Sequence, residues 1–393
     1  MDSREGREHR QTTTQQEFSM NISITFPPEH KYTPVDVQQQ QVAAANELFH
    51  FYTAGLVASV FVVLGIVGNI LSVFVLSSKQ MRRGSASVCR LLVGLAVYDT
   101  VFLFSHGVAG NLPHVLHHMG IQLGSAGAVM FSIFYPLLHI SRTGSVYTTV
   151  MVTVERCVAV VKPLKAAVVF TQKRTNQILV AIFIFSVIFN IPRCMEHSLK
   201  LGSPTISVTK SVFYDTAFYT VYLIYINFIV HFAIPFTLIA VFNVLMIHTL
   251  RNVTRGYKKH DKSKAVIELN VNVGNRSSSG TGNKLCGTVL AVTSLFFLCH
   301  LVPAVALVLE QTENAKRLGD CSAACSRVSS LGDTLIIVCS ATNFILYCMF
   351  GRKFRLVFQA LFCPCKRRYE ERRPSKKTRM LSMKSMTLEE TNA

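Results

Sequence analysis

Residues 142–165 read RTGSVYTTVMVTVERCVAVVKPLK: an apolar run carrying Ser145, then the adjacent pair Glu155-Arg156, then Pro163-Leu164 between Lys162 and Lys165. A charge at the centre of a bilayer costs about 2.5–3.5 kcal/mol on insertion scales, so Arg156 belongs near a water interface or inside a helix bundle. Opposite charges side by side at the end of a long apolar helix suit a switch at a membrane face. An isolated Glu-Arg pair is ordinarily just solvated, so the rest of the chain has to decide.

Of the 393 residues, 50% are hydrophobic and only 16% charged, with mean hydropathy +0.36. That is too apolar for a soluble domain of this size, and a membrane is the expected solvent. Seven apolar runs approach the roughly 20 residues a crossing needs: 49–76, 87–108, 129–161, 177–191, 220–248, 285–309 and 331–350. The polar segment before them offers no cleavable signal, which leaves the first run as the targeting signal. Lys and Arg between and after the runs number 28 on one side against 10 on the other. The expected topology is therefore N-terminus outside and C-terminus cytoplasmic. The net charge of +19 is not accompanied by a nucleic-acid motif, and no nucleic-acid partner is expected. The expected domains are a polar extracellular tail 1–48 with a glycosylation sequon at Asn21, a seven-transmembrane domain 49–350, an amphipathic helix 351–365 and a basic tail 366–393.

Polar groups stand inside several of the runs. Asp99, in LLVGLAVYDTVFLF, requires partners or an ion, and Asn69, Ser145 and Asn343 are oxygen-bearing candidates for a small hard cation. Pro192, Pro235 and Pro303 are expected to kink the fourth, fifth and sixth helices. After the seventh run, Phe354, Leu356, Phe358 and Leu361 alternate with basic residues as an interfacial helix would. That helix ends at Cys363 and Cys365, palmitoylation candidates.

Taken jointly, these residues resemble the rhodopsin-like G protein-coupled receptors. Glu155-Arg156-Cys157 with Pro163-Leu164 resembles the end of that family's third helix. Asn343-Phe344-Ile345-Leu346-Tyr347 is similar to its Asn-Pro-x-x-Tyr motif with Phe in the Pro position. Phe297, six residues before Pro303, stands at the aromatic switch position, and Asn69, Asp99, Ser145 and Asn343 match the internal sodium site. The resemblance implies an all-α bundle of seven transmembrane helices with an amphipathic eighth. It also implies coupling to a heterotrimeric G protein through Arg156, arrestin and kinase contacts at the tail, and an allosteric sodium ion. The chain departs from the family at Leu301, usually Trp, at Asn243, usually Tyr, and at Phe131, where a Cys usually anchors the disulfide to the second extracellular loop. Cys321 and Cys325 could instead pair locally. The phrases VTVERCVAVVKPLKA, IFSVIFNIPRCME and TNFILYCMFGRKF resemble invertebrate FMRFamide-type neuropeptide receptors.

A ligand pocket is expected among His106, Leu138, His139, Arg142, His231, His300, Leu301, Glu310 and Asp333. Leu138 stands where monoamine receptors carry an amine-binding Asp, which argues against an amine. Arg142, inside an apolar run, needs a partner, either Asp333 or an acid of the ligand. Asp333 and Glu310 are the acids available to a ligand's guanidinium. The leading expectation is a receptor for an FMRFamide-like neuropeptide, with another peptide or a lipid as the alternative ligand. A transporter is disfavoured because no internal repeat is visible. A membrane metalloenzyme is disfavoured because His114, His117 and His118, the nearest to a metal cluster, are expected in a loop.

Overall fold

A computed structural model describes residues 34–83, 86–202, 206–216, 218, 221–264, 292–309 and 322–362. Asn21, Glu310, Cys321, Cys363 and Cys365 lie outside them. The chain divides into two units, Met1–Ala43 and Ala44–Ala393. In the first, residues 34–43 are helical. All contacts below are within the second.

Among the described residues, seven long helices carry the fold. Six are long and apolar enough to cross a membrane: α1 Gln40–Ser77, α2 Ala86–His118, α3 Gly124–Val161, α5 Ile229–Asn252, α6 Val292–Leu309 and α7 Ala323–Phe350. The remaining one, α4 Gln172–Phe189, opens with Gln-Lys-Arg and carries a shorter apolar run. Helix α8, Arg352–Phe362, follows α7. Between α4 and α5 lies an antiparallel hairpin, β1 His197–Leu201 with β2 Ile206–Lys210, registered from His197 opposite Lys210 to Leu201 opposite Ile206. It adds a β element that the helical periodicity does not announce.

The bundle is apolar outside to an extent that only a lipid solvent permits, and it buries many polar groups among its apolar core. Val60, Val63, Leu64 and Phe74 of α1 and Phe183, Ile184 and Ile188 of α4 are exposed, as lipid-facing side chains are. Inside, Ser and Thr hydroxyls hydrogen-bond their own helices: Ser72 to the Gly68 carbonyl (2.9 Å), Thr153 to Thr149 (2.9 Å), Ser186 to Ile182 (2.7 Å), Thr334 to Ser330 (2.9 Å). Such bonds satisfy polar groups without a partner helix. Association then rests on close packing between small residues, because lipid tails are as apolar as Leu. A Cβ on Gly144 would stand 2.3 Å from the Tyr98 ring, and one on Gly65 2.8 Å from the Ala341 Cα. The α2–α3 and α1–α7 crossings therefore need glycine there.

Two prolines behave differently from expectation. Pro192 does not interrupt α4; it opens a separate short turn, Ile191–Cys194, after α4 has ended at Asn190. Pro235 enters just after a π-helical stretch, Ile229–Ala233, and so begins regular helix rather than kinking it. His114, His117 and His118 are not in a loop: Leu112–His118 is helical, because Pro113 suits a first turn. No group of three or more His, Cys, Asp or Glu able to hold a metal occurs among the described residues.

Helix α8 is pinned from both sides. Phe354 and Val357 bury against Leu76, Met81, Val88 and Tyr347. Lys353 Nζ donates to the Met81 and Arg83 carbonyls, both at 2.8 Å. Arg355 donates to the Cys348 and Met349 carbonyls, closing the C-terminal end of α7 with a cation, as the helix dipole favours. Leu356, Leu361 and Phe362 remain exposed on the opposite face, in keeping with an interfacial helix.

Candidate functional site

Three polar centres are stacked along the bundle. The end bearing α8 holds the Glu155–Arg156 pair. Arg156 donates from Nε to Glu155 Oε2 at 2.5 Å and from Nη2 to Oε1 at 2.6 Å. Both residues are buried, at 3% and 8% exposure. Ser87 of α2 adds a bond to the same carboxylate at 2.7 Å. The pair is thus a closed latch held between α2 and α3. Pro163 opens the short helix Pro163–Val169, and Leu164 stands 86% exposed beside it, an unpartnered apolar side chain at the latch.

At mid-bundle, Asp99 is buried. Ser145 Oγ donates to its Oδ1 at 2.6 Å and Asn343 Nδ2 to its Oδ2 at 2.7 Å, joining α2, α3 and α7. Asn69 donates to the Ser340 carbonyl at 3.1 Å and leaves its own Oδ1 buried and unpartnered. Three of the four residues named from sequence, Asp99, Ser145 and Asn343, therefore meet, while Asn69 is bonded to the α7 backbone. Beside Asp99, with Ser145, Asn343, Arg142 and His300 on its walls, is a cavity with about 20 Å³ open to a water-sized sphere, room for roughly one water. Asp99 and Ser145 bring oxygen atoms to this small space, and Arg142 brings a guanidinium. Tyr347 lies buried below, its ring 5.5 Å from that of Phe354.

The sixth helix is turned one position from the expected alignment. Phe297 is 40% exposed and touches the Phe236 ring at 4.8 Å, while Leu301 is 48% exposed and lines no described cavity. The inward positions belong to Phe296 (4% exposed), Cys299 and His300. His300 stacks on Phe296 at 4.0 Å, its Nδ1 bonded to the Phe296 carbonyl at 2.9 Å. The run FFLCHL offers two phasings of nearly equal hydrophobicity. The one adopted buries the His, which can bond its own helix, and leaves Leu to lipid.

At the third level, opposite the latch, two cavities share Ser329 and Asp333. The larger, with about 390 Å³ open to a water-sized sphere, is lined by His50, His106, His114, Ser326 and Asp333 among others. The smaller, about 130 Å³, has Arg142, Arg193, Asn227, Phe232 and Asp333 on its walls. The expected Arg142–Asp333 ion pair is not formed: no contact within 4 Å joins them, and Arg142 Nε is buried without a partner. Both nevertheless line the smaller cavity. His106 lines the larger cavity and bonds Asn111 at 2.7 Å. Other expected pocket residues act as supports. His231 bonds Thr143 (2.9 Å) and Asn227, and Asn190 bonds the same Thr143 hydroxyl at 2.8 Å. His139 meets the Tyr135 ring edge-on at 4.6 Å, and Leu138 packs against the Phe102–Ile337 cluster. π-Helical turns at Phe51–Val57, Gly107–Asn111 and Ile229–Ala233 occur at this level, as such turns often do beside functional sites.

The Arg193–Glu196–Tyr135 cluster is absent from the sequence-based expectations. Arg193 contacts Glu196 at 3.1 Å, and Tyr135 donates to the same oxygen at 2.7 Å. Its one sequence signal is an i,i+3 charge pair just beyond an apolar run. Where the family uses a disulfide at position 131, Phe131 stacks on Tyr135 (4.9 Å) and meets His197 of β1 edge-on (5.1 Å). Ser125 accepts from the Ile206 amide at 2.9 Å. The hairpin is thus held to α3 by rings and a hydrogen bond, with Cys194 a free thiol. Cys325 is disulfide-bonded.

A seven-helix membrane bundle with a buried carboxylate at its centre and a latched Arg at one end defines a helical signalling receptor. Residues 68–347 match the 7 transmembrane receptor (rhodopsin family) model, and the chain belongs to that family. It is similar to the FMRFamide receptor of Drosophila melanogaster, 26% identical over 90% of this chain and 62% of that protein. It is also similar to the FMRFamide peptide receptor frpr-18 of Caenorhabditis elegans, 27% identical over 76% of this chain and 67% of that one. Neuromedin-U receptor 2 of Mus musculus is 26% identical over 79% of this chain and 76% of its own length. The match thus spans under two thirds of the Drosophila receptor.

Proposed function

We propose that the chain is a plasma-membrane receptor, N-terminus outside, for an amidated neuropeptide of the FMRFamide type, and that it signals to a heterotrimeric G protein. The observation that carries this reading is one bundle with a polar cavity holding Asp333 at one end and Arg156 latched on Glu155 at the other. The two FMRFamide-receptor relatives support the ligand class, and the neuromedin-U receptor supports the alternative of a different peptide. Asp333 is the acid shared by both cavities, and it supplies the counter-charge for a cationic peptide. A peptide shifts the receptor only by binding the open state more tightly than the latched one. Once Glu155 releases it, Arg156 contacts the G protein with Leu164 and Pro163 beside it, while Asn343 and Tyr347 move with α7. Asp99 and Ser145, flanked by Asn69 and Asn343, hold a sodium ion, whose charge favours the latched state. In this reading Asn21 is glycosylated, Cys363 and Cys365 anchor α8 by palmitoylation, and the tail beyond it receives a kinase and arrestin.

The test is expression with a promiscuous G protein and a calcium reporter, followed by a panel of amidated peptides with and without Arg-Phe-amide ends. Nanomolar responses confined to Arg-Phe-amide peptides are expected. Silence across the panel at verified surface expression removes the FMRFamide reading, and a response to another peptide series replaces it.

A further inference from the structure

Arg142 borders two spaces at once: the mid-bundle cavity with Asp99 and the upper cavity with Asp333. Its Nε is buried and unpartnered, and among the described residues no carboxylate oxygen lies within 4 Å of it. Arg193, the other guanidinium on the upper cavity, is held by Glu196 at 3.1 Å and faces the Tyr135 hydroxyl at 3.3 Å. Arg142 is therefore a buried donor awaiting an acceptor, a costly condition inside a bundle. Asp333 lines the same cavity as an acceptor. The roughly 130 Å³ between the walls is about ten times the 10–15 Å³ that one water requires.

The chemistry of an occupant follows from the two walls. A carboxylate would pair with Arg142 and be repelled by Asp333. An ammonium or guanidinium would pair with Asp333 and be repelled by Arg142. A primary carboxamide is neutral and carries an acceptor and two donors on one carbon, so it satisfies both walls without repulsion. Phe232, Pro303, Ala306 and Leu307 supply apolar wall beside it for the side chain of the residue that bears the amide.

We propose that the gap between Arg142 and Asp333 is the subsite for the terminal carboxamide of an amidated peptide. The carbonyl oxygen accepts from the Arg142 guanidinium, and the amide NH2 donates to Asp333. Because Asp333 also lines the larger cavity, its second oxygen remains available to a cationic side chain. The inference deepens the receptor reading and rests on it for the peptide nature of the ligand. The amide preference rests on the two charged walls alone.

The test uses the full chain in nanodiscs and three probes at millimolar concentration: the dipeptide Arg-Phe-amide, its free acid, and its N,N-dimethylamide. Binding is read as thermal stabilisation of the receptor. The amide should stabilise the wild type at concentrations at least tenfold below those needed for either analogue, since the acid meets Asp333 and the dimethylamide has no N–H to donate. In Asp333→Asn the repulsion is gone, so the free acid should gain at least tenfold and match or pass the amide. Arg142→Gln should weaken amide and acid together. Equal binding of amide and acid to the wild type, or no binding of any probe, overturns the subsite, as does an amide preference unchanged in Asp333→Asn. If a variant fails to fold, the three probes on the wild type decide alone. Dipeptide binding with no signal from any amidated peptide would sink the receptor reading and leave the subsite standing; signalling without amide preference would do the reverse.

Discussion

Replacing Glu155 by Gln probes the latch with the least change of shape. The carboxylate takes three donors: Arg156 Nε at 2.5 Å, Arg156 Nη2 at 2.6 Å and Ser87 Oγ at 2.7 Å. In the Glu155→Gln variant only one acceptor oxygen survives, and it can keep Ser87 and one guanidinium nitrogen; the new NH2 then faces the other guanidinium N–H, donor against donor. At least one charge-assisted hydrogen bond is lost, about 1.5–3 kcal/mol. At 3% and 8% exposure, water cannot fully replace it. Every 1.4 kcal/mol is about tenfold in an equilibrium constant, so the open-to-latched ratio should rise at least about tenfold. A minor open state of about 1% would then become about 10%. The assay is ligand-independent nucleotide exchange on a purified G protein, with membranes matched for receptor number, alongside the apparent melting temperature. Exchange should rise at least about fivefold while stability falls. A lower melting temperature with unchanged basal exchange would refute the latch and leave Glu155–Arg156 a structural pair.

The inward phasing of α6 predicts unequal costs for neighbouring phenylalanines. Phe296→Ala, opening a core with Val146, Ile239 and Cys339, should destabilise by about 3 kcal/mol, and Phe297→Ala by well under half as much; equal losses of melting temperature would restore the other phasing. Asp99→Asn should abolish any sodium dependence of agonist affinity, and persistence of that dependence in the variant would place the ion elsewhere. Phe354→Ala should detach α8 and lower thermal stability by about 3 kcal/mol, whereas Leu356→Ala, on the exposed face, should leave detergent-phase stability within about 0.5 kcal/mol.

How far the sequence is legible depends on what kind of physics each residue obeys. Asp99, Asn69, Ser145 and Asn343 can be grouped in advance because a polar atom in lipid has few places to go, and each lies on a different apolar run. The Glu155–Arg156 pair is equally plain, being adjacent in sequence. Arg142 and Asp333 mislead because opposite charges on two helices invite pairing on paper, while their separation is set by how the bundle packs α3 and α7. Leu301 and Phe297 mislead because FFLCHL permits two rotations of α6, and only packing against Phe236 and Ile239 selects one. The Arg193–Glu196–Tyr135 cluster is invisible in the sequence because Tyr135 lies 58 and 61 residues from its two partners and because β1 and β2 are short.

Hydropathy, charge asymmetry and adjacent motifs are properties of one dimension, and they suffice to establish a seven-helix membrane receptor with a basic, latched end. Where each side chain ends up is settled only in three dimensions: Phe131 replaces a disulfide with stacked rings, His300 rather than Leu301 turns inward, and Arg142 and Asp333 line one cavity unpaired. Those outcomes depend on helix rotation and crossing, which are fixed by close packing of small residues such as Gly65 and Gly144 against their neighbours. A one-residue rotation of a helix leaves its hydropathy almost unchanged and turns each side chain by about 100°.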